Sequence, residues 1–146
     1  MLFRSRFYIV GRSPTAEVQA LAGDKVIVTG TVPDVRPYLQ HAAVVVAPLR
    51  VARGIQNKIL EAMAMARPVI ASSECAAAVE AEIGQELLTS TSPADFIREI
   101  DTLLLDDALC ARIGNAARQR VLSRYSWEAH LSGMDRYLTA SNGAGS

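Results

Sequence analysis

The stretch Ala47-Pro48-Leu49-Arg50-Val51-Ala52-Arg53-Gly54-Ile55-Gln56-Asn57-Lys58-Ile59-Leu60-Glu61-Ala62-Met63-Ala64 decides how the chain is read. It follows Val44-Val45-Val46, so a run of β-branched residues ends at Pro48, as a buried central strand would. A loop containing Gly54 comes next. Ile59, Leu60, Met63 and Ala64 then repeat at helical spacing and predict a helix over 57–65. Pro68-Val69-Ile70-Ala71 is a further strand, entered through proline. A strand, a helix and a second strand in that order describe a parallel crossover unit.

The same alternation extends upstream. Phe7-Tyr8-Ile9-Val10 reads as a strand ending at Gly11, and Ser13-Pro14 reads as an N-cap followed by the first turn of a helix. Val26-Ile27-Val28 is a second strand closed by Thr29-Gly30, and Asp34 caps a short helix carrying Val35, Tyr38 and Leu39. Downstream, a helical stretch is expected near 76–81 and a small strand around Leu87-Leu88. From Ser92-Pro93 the pattern becomes wholly helical, with a stripe of Phe96, Ile97, Ile100, Leu103 and Leu104. A second helix is expected over 108–124 and a third from Ser126 through Tyr137. The fold class is therefore α/β: a Rossmann-like parallel sheet flanked by helices, with a helical C-terminal run. One domain is expected over 1–140, and the small polar tail over 141–146 is expected to be disordered.

Composition narrows the function. Half of the 146 residues are hydrophobic, yet no run approaches the ~20 apolar residues of a membrane span. The basic start Met1-Leu2-Phe3-Arg4-Ser5-Arg6 lacks the apolar core of a signal peptide, so a cytoplasmic location is expected. Fifteen basic and fifteen acidic residues balance, which gives no argument for nucleic acid. Cys75 and Cys110 have no metal or redox spacing, and His41 and His130 stand far apart, so no metal site is expected.

The quoted stretch also carries the candidate chemistry. Ligands of parallel α/β sheets bind beyond the carboxyl ends of the strands. A helix start there offers unpaired N–H groups and a partial positive charge to a phosphate, and Gly54 lets backbone approach closely. Lys58 in the first turn opposes the helix dipole by a few tenths of a kcal/mol. A bound anion would reverse that penalty. Glu61 lies one turn after Asn57, and its carboxylate could accept both hydroxyls of a ribose. Read from spacing alone, Lys58 and Glu61 are more readily ordinary solvated helix charges, the default for surface Lys and Glu.

The block Asn57-Lys58-Ile59-Leu60-Glu61-Ala62-Met63-Ala64-Met65-Ala66-Arg67-Pro68-Val69-Ile70-Ala71 resembles the most recognisable segment of the family 4 (group 1) retaining glycosyltransferases. Four further pieces match in order: residues 7–12, the loop Val28-Thr29-Gly30-Thr31-Val32-Pro33-Asp34, residues 35–47, and residues 118–127 with their Tyr-Ser-Trp ending. The resemblance runs over nearly the whole chain and is nearest to the sugar transferases of bacterial exopolysaccharide and protein-sorting clusters. It implies one half of a GT-B fold, the C-terminal half that binds a UDP- or GDP-linked sugar without a metal or other cofactor. It implies that Glu61 binds the ribose and that Gly54, Ile55, Gln56 and Asn57 present backbone amides to the diphosphate and sugar. Val32 would contact the base through the backbone, and Arg12 and Lys58 would serve as phosphate partners.

Two departures from the family pattern stand out. The glutamate usual eight positions before the ribose-binding one is Arg53 here. A guanidinium only donates, so it would steady phosphate charge as the leaving group departs instead of accepting sugar hydroxyls. The resemblance also implies that the chain starts after the first strand and helix of such a donor domain and that an acceptor domain is missing from it. Orientation can supply ~7–11 kcal/mol of a barrier. This chain alone is therefore expected to be inactive, and the full-length enzyme is expected to meet a membrane peripherally, with a lipid-linked or polysaccharide acceptor.

The competing reading is a non-catalytic nucleotide-binding or interaction module derived from the same fold. A receiver-like signalling domain would need acidic residues at the first strand's mouth, where Gly11-Arg12 stands. Tyr125 and Trp127 are expected to pin the last helix to the domain. Glu80, Glu82 and Glu86 read as a solvated edge, and Asp106-Asp107 as a helix cap.

Overall fold

A computed structural model describes residues 5–50 and 56–125 of the chain. Contacts divide the chain into two compact units, Met1–His41 and Ala42–Ser146. The helix expected from Ser126, the packing of Trp127 and the tail over 141–146 lie outside the described residues.

In the first unit, β1 (Phe7–Val10) and β2 (Val26–Gly30) pair in parallel, with Phe7 opposite Val26 and Ile9 opposite Val28. The register shifts after Ile9, so that Val10 faces Gly30, whose φ of 67° suits a residue without a Cβ. Between the strands runs α1 (Ala16–Gln19), and after them α2 (Arg36–His41). The expected cap at Ser13 is corrected. Thr15 is the N-cap, its hydroxyl accepting the Val18 N–H at 3.3 Å, while Ser13 sits at φ 49° ahead of Pro14. An N-cap takes an extended backbone, so with Ser13 in the left-handed region the cap passes to the next hydroxyl, Thr15, which is extended. Asp34 does set the start of α2, accepting the Arg36 N–H at 2.9 Å. Tyr8 of β1 meets Tyr38 of α2 with ring centroids 6.0 Å apart.

The second unit holds a three-stranded parallel sheet in the order β3 (Val45–Ala47), β4 (Val69–Ser72), β5 (Leu88–Ser90). Helix α3 (Gln56–Ala64) crosses from β3 to β4, and α4 (Ser73–Ala76) follows β4 directly. The helix expected near 76–81 thus begins earlier and is shorter, because Ser72 caps it through the Cys75 N–H. Two longer helices complete the unit, α5 (Pro93–Leu105) and α6 (Asp107–Arg124). Both start as their caps predict: Ser92 accepts the Asp95 N–H, and Asp106 accepts the Leu109 N–H at 2.9 Å.

The core of this unit lies around β4, whose four residues are all buried. Ile70, Leu103 of α5 and Ile113 of α6 form its centre, with Val44, Val46, Leu88, Phe96 and Ile100 packed around them. Each such buried aliphatic side chain contributes about 1.5–3 kcal/mol relative to exposure. Ile97, expected in the same stripe, points outward instead and is 61% exposed. The acidic residues read as a solvated edge are also partly corrected. Glu86 pairs with Arg120 at 2.7 Å and Glu80 with Arg124 at 2.7 Å, tying the segment after α4 to α6. The Tyr125 hydroxyl, just past α6, accepts the Glu80 N–H at 3.1 Å; the last helix that Tyr125 and Trp127 are expected to pin lies outside the described residues.

Candidate functional site

Because β3 and β4 run parallel, the helix between them returns antiparallel, and its first turn opens at the strands' carboxyl ends. Which residues face out there follows from what α3 buries. Ile59, Ala62 and Met63 are at most 1% exposed and face the core. Asn57, Lys58 and Glu61 therefore lie on the open side, and all three are exposed. Asn57 and Glu61 stand one turn apart on the same line of the helix. No acidic residue occupies the first turn, so the dipole there is left without a compensating negative charge. Gln56 is the first helical residue, and the N–H groups of this turn have no intrahelical acceptor.

The other sequence-predicted residues fall elsewhere. Arg12 is exposed two residues past the end of β1, and Val32 is half-buried two residues past β2. Both belong to the first unit, each at a carboxyl end of its two-stranded sheet. Arg53, Gly54 and Ile55 lie outside the described residues.

The opposite end of α3 is fixed with unusual detail. Ala66 takes a left-handed conformation at φ 57°. Its N–H reaches the Met63 carbonyl at 3.0 Å, and the Arg67 N–H reaches the Ala62 carbonyl at 3.1 Å. These two bonds make a Schellman termination, which usually uses glycine at the left-handed position. Arg118 of α6 adds a guanidinium donor to the Ala64 carbonyl at 2.5 Å, a cation at the negative end of the helix. The start of α3 is thus the open end and its finish the braced one.

A second set of contacts borders the same carboxyl edge, and the sequence reading did not find it. The Ser72 hydroxyl, 7% exposed, donates to the Leu49 carbonyl at 2.5 Å while accepting the Cys75 N–H at 3.2 Å. The Cys75 thiol donates to the same Leu49 carbonyl at 3.3 Å. The capping part was legible, since Ser72-Ser73-Glu74 offers a hydroxyl followed by a carboxylate in the first turn. The bond to a carbonyl 23 residues earlier carries no local signal.

Among the described residues no group of three or more His, Cys, Asp and Glu could hold a metal ion, and no helix is long and apolar enough to cross a membrane. Among the described residues, α3 brings to this edge its first-turn backbone amides and the exposed side chains of Asn57, Lys58 and Glu61.

The model of the family "Glycosyl transferases group 1" matches residues 2–106. No curated protein matches the chain. Among solved structures, the C-terminal domain of the Francisella tularensis glycosyl transferase group 1 family protein LpcC is 21% identical with a TM-score of 0.65, covering 75% of this chain. HepE from Anabaena, in complex with UDP, is 20% identical over 93% of this chain with a TM-score of 0.74. Sucrose-phosphate synthase from Thermosynechococcus elongatus is 26% identical over 92% of this chain with a TM-score of 0.75. This chain spans 58%, 41% and 38% of those three structures, respectively.

Proposed function

Since the chain belongs to the group 1 glycosyl transferase family and has the Rossmann-like fold of a GT-B C-terminal domain, we propose that it binds the nucleotide-diphosphate sugar of a retaining, metal-independent transferase. The observation that carries this reading is the start of α3, where Asn57 and Lys58 in the first turn and Glu61 in the second stand exposed toward the carboxyl edge of the sheet. The helix amides and Lys58 meet the diphosphate, and Glu61 takes the two ribose hydroxyls. The HepE complexes with UDP and with UDP-glucose support the choice of ligand class.

Transfer breaks the bond between the sugar's anomeric carbon and the diphosphate oxygen. The negative charge that develops on that oxygen is met by amides already oriented before the reaction. Arg53 adds a cation in place of the family's usual glutamate, and Gly54 and Ile55 extend the row of amides. Arg12 and Val32 serve the phosphate and the base. In the parent enzyme an acceptor domain supplies the other wall, and the product is a cell-surface polysaccharide made at the cytoplasmic face of a membrane.

Calorimetric titration with UDP, GDP and their sugar conjugates, with and without EDTA, tests the binding step. Binding that persists in EDTA and weakens about a hundredfold or more in Glu61→Ala supports it, since the two charged hydrogen bonds lost are worth ~1.5–3 kcal/mol each. A variant that binds as tightly as the parent chain removes Glu61 from the site. Arg53 also favours a second reading, a non-catalytic nucleotide-binding module. Turnover by the parent protein, and its loss in Arg53→Glu, separates the two.

A further inference from the structure

Leu49 is the second residue after β3, on the path from that strand to α3. Its carbonyl is held by two donors from one place, the hydroxyl of Ser72 at 2.5 Å and the thiol of Cys75 at 3.3 Å. Both donors are buried: Ser72 is 7% exposed and Cys75 is fully enclosed. The Ser72 hydroxyl is itself aimed by the Cys75 N–H, which it accepts at 3.2 Å. Its own proton is thereby directed at Leu49. A trans peptide is planar, with its carbonyl and the next N–H pointing in opposite directions. Holding the Leu49 carbonyl against the turn between β4 and α4 therefore aims the Arg50 N–H away from that turn. The side chain of Leu49 plays no part in this, being 47% exposed.

We propose that, given the donor-binding reading above, Ser72 is a positioning residue for the nucleotide diphosphate: with Cys75 it sets the Leu49-Arg50 peptide plane, and through it the direction in which the chain leaves β3 for the first turn of α3. Ser72 touches no phosphate in this scheme. It acts through the backbone it holds, and Cys75 is the weaker of the two donors.

Leu49-Arg50 is the one Leu-Arg pair in the sequence, so carbonyl-¹³C leucine with ¹⁵N arginine gives a single inter-residue NMR signal from this peptide. The full chain is compared with Ser72→Ala, Ser72→Thr and Cys75→Ala, each also titrated with UDP and GDP. Loss of a donor shifts the Leu49 carbonyl upfield. Ser72→Ala is expected to show that shift and to weaken nucleotide binding about fivefold, one ordinary hydrogen bond's worth. Ser72→Thr restores both, and Cys75→Ala gives a smaller shift with Ser72 still bonded. A carbonyl signal that does not move in Ser72→Ala overturns the proposal. So does a signal that moves while the nucleotide affinity stays the same, which would make the contact structural only. If the unsubstituted chain binds neither UDP nor GDP, the donor-binding reading itself falls and this role falls with it.

Discussion

Gly114 of α6 lies so close to Ala66 that a Cβ at position 114 would stand 2.1 Å from the Ala66 carbonyl oxygen. The two helices α3 and α6 meet here, with Ala66 in the left-handed turn that ends α3. Gly114→Ala should therefore destabilise the chain even though alanine is the better helix former. The propensity gain is about 1 kcal/mol. The clash is with backbone already held by two Schellman hydrogen bonds, and overpacking of this kind costs about 1–3 kcal/mol. Urea unfolding should give a net loss of up to about 2 kcal/mol. An unchanged or raised midpoint would mean that the helices separate freely at this point.

Ala66→Gly should act in the opposite direction. A left-handed alanine costs about 1–2 kcal/mol, and glycine returns about half of that as extra freedom in the unfolded chain. The expected gain is ~0.5–1 kcal/mol, read as a higher urea midpoint with the same slope. Because Ala66 and Gly114 touch, the two substitutions should couple. The double variant is expected to depart from additivity, and a double-mutant cycle measures by how much.

Glu86 gives the fold a defined acid sensitivity. Burial raises its carboxyl, but the hydrogen bond from Arg120, the Glu82 N–H and the Arg120 charge together outweigh that and hold it below its ordinary 4.5. Both donors reach the same oxygen, at 2.7 and 2.8 Å. A carboxyl lowered in the folded state stabilises above its unfolded value, and the contribution is lost as pH falls through the folded one. Glu86→Gln should cost about 1 kcal/mol at pH 7 and almost nothing well below pH 4, because the protonated parent has lost the same charge. Thermal melts of both chains from pH 7 to pH 3 check this through the gap between their midpoints. A constant gap would assign the loss to packing. The Glu80–Arg124 pair, about two-thirds exposed on each side, should contribute far less.

What was legible in the sequence was whatever depends on near neighbours. Val45–Ala47, Val69–Ser72 and the caps at Ser92 and Asp106 follow from β-branched runs and hydroxyl or carboxylate positions within a few residues. The exposure of Asn57, Lys58 and Glu61 follows from the apolar spacing of Ile59, Ala62 and Met63 on the other face. Contacts between distant segments were not legible. Glu86 and Arg120 are 34 residues apart, Ser72 and Leu49 are 23, and neither pair leaves a periodic trace. The end of α3 was hidden for a different reason. Its left-handed residue is alanine, so the glycine that normally marks such a stop is missing. At Ser13 a good local signal misled: Ser-Pro opens α5 at Ser92-Pro93, but Ser13 is left-handed and the extended Thr15 takes the cap instead.

Lys58 allows a helix-surface charge to be told from a ligand contact, because the two roles act on different quantities. In the chain without nucleotide, Lys58 opposes the dipole of α3 but has Glu61 three residues on, a spacing that favours opposite charges. These effects are each a few tenths of a kcal/mol and oppose one another, so Lys58→Gln should change stability by less than ~0.5 kcal/mol. If Lys58 meets the diphosphate, the same substitution removes a charged hydrogen bond and weakens UDP binding about tenfold or more. The parent chain's affinity should also fall more steeply with added salt than the variant's, since exposed charge pairs are screened. Titrations at low and high ionic strength, beside thermal melts without nucleotide, read both quantities. A variant that melts differently but binds UDP as the parent does would make Lys58 a solvated helix charge and leave the diphosphate to the backbone amides of α3.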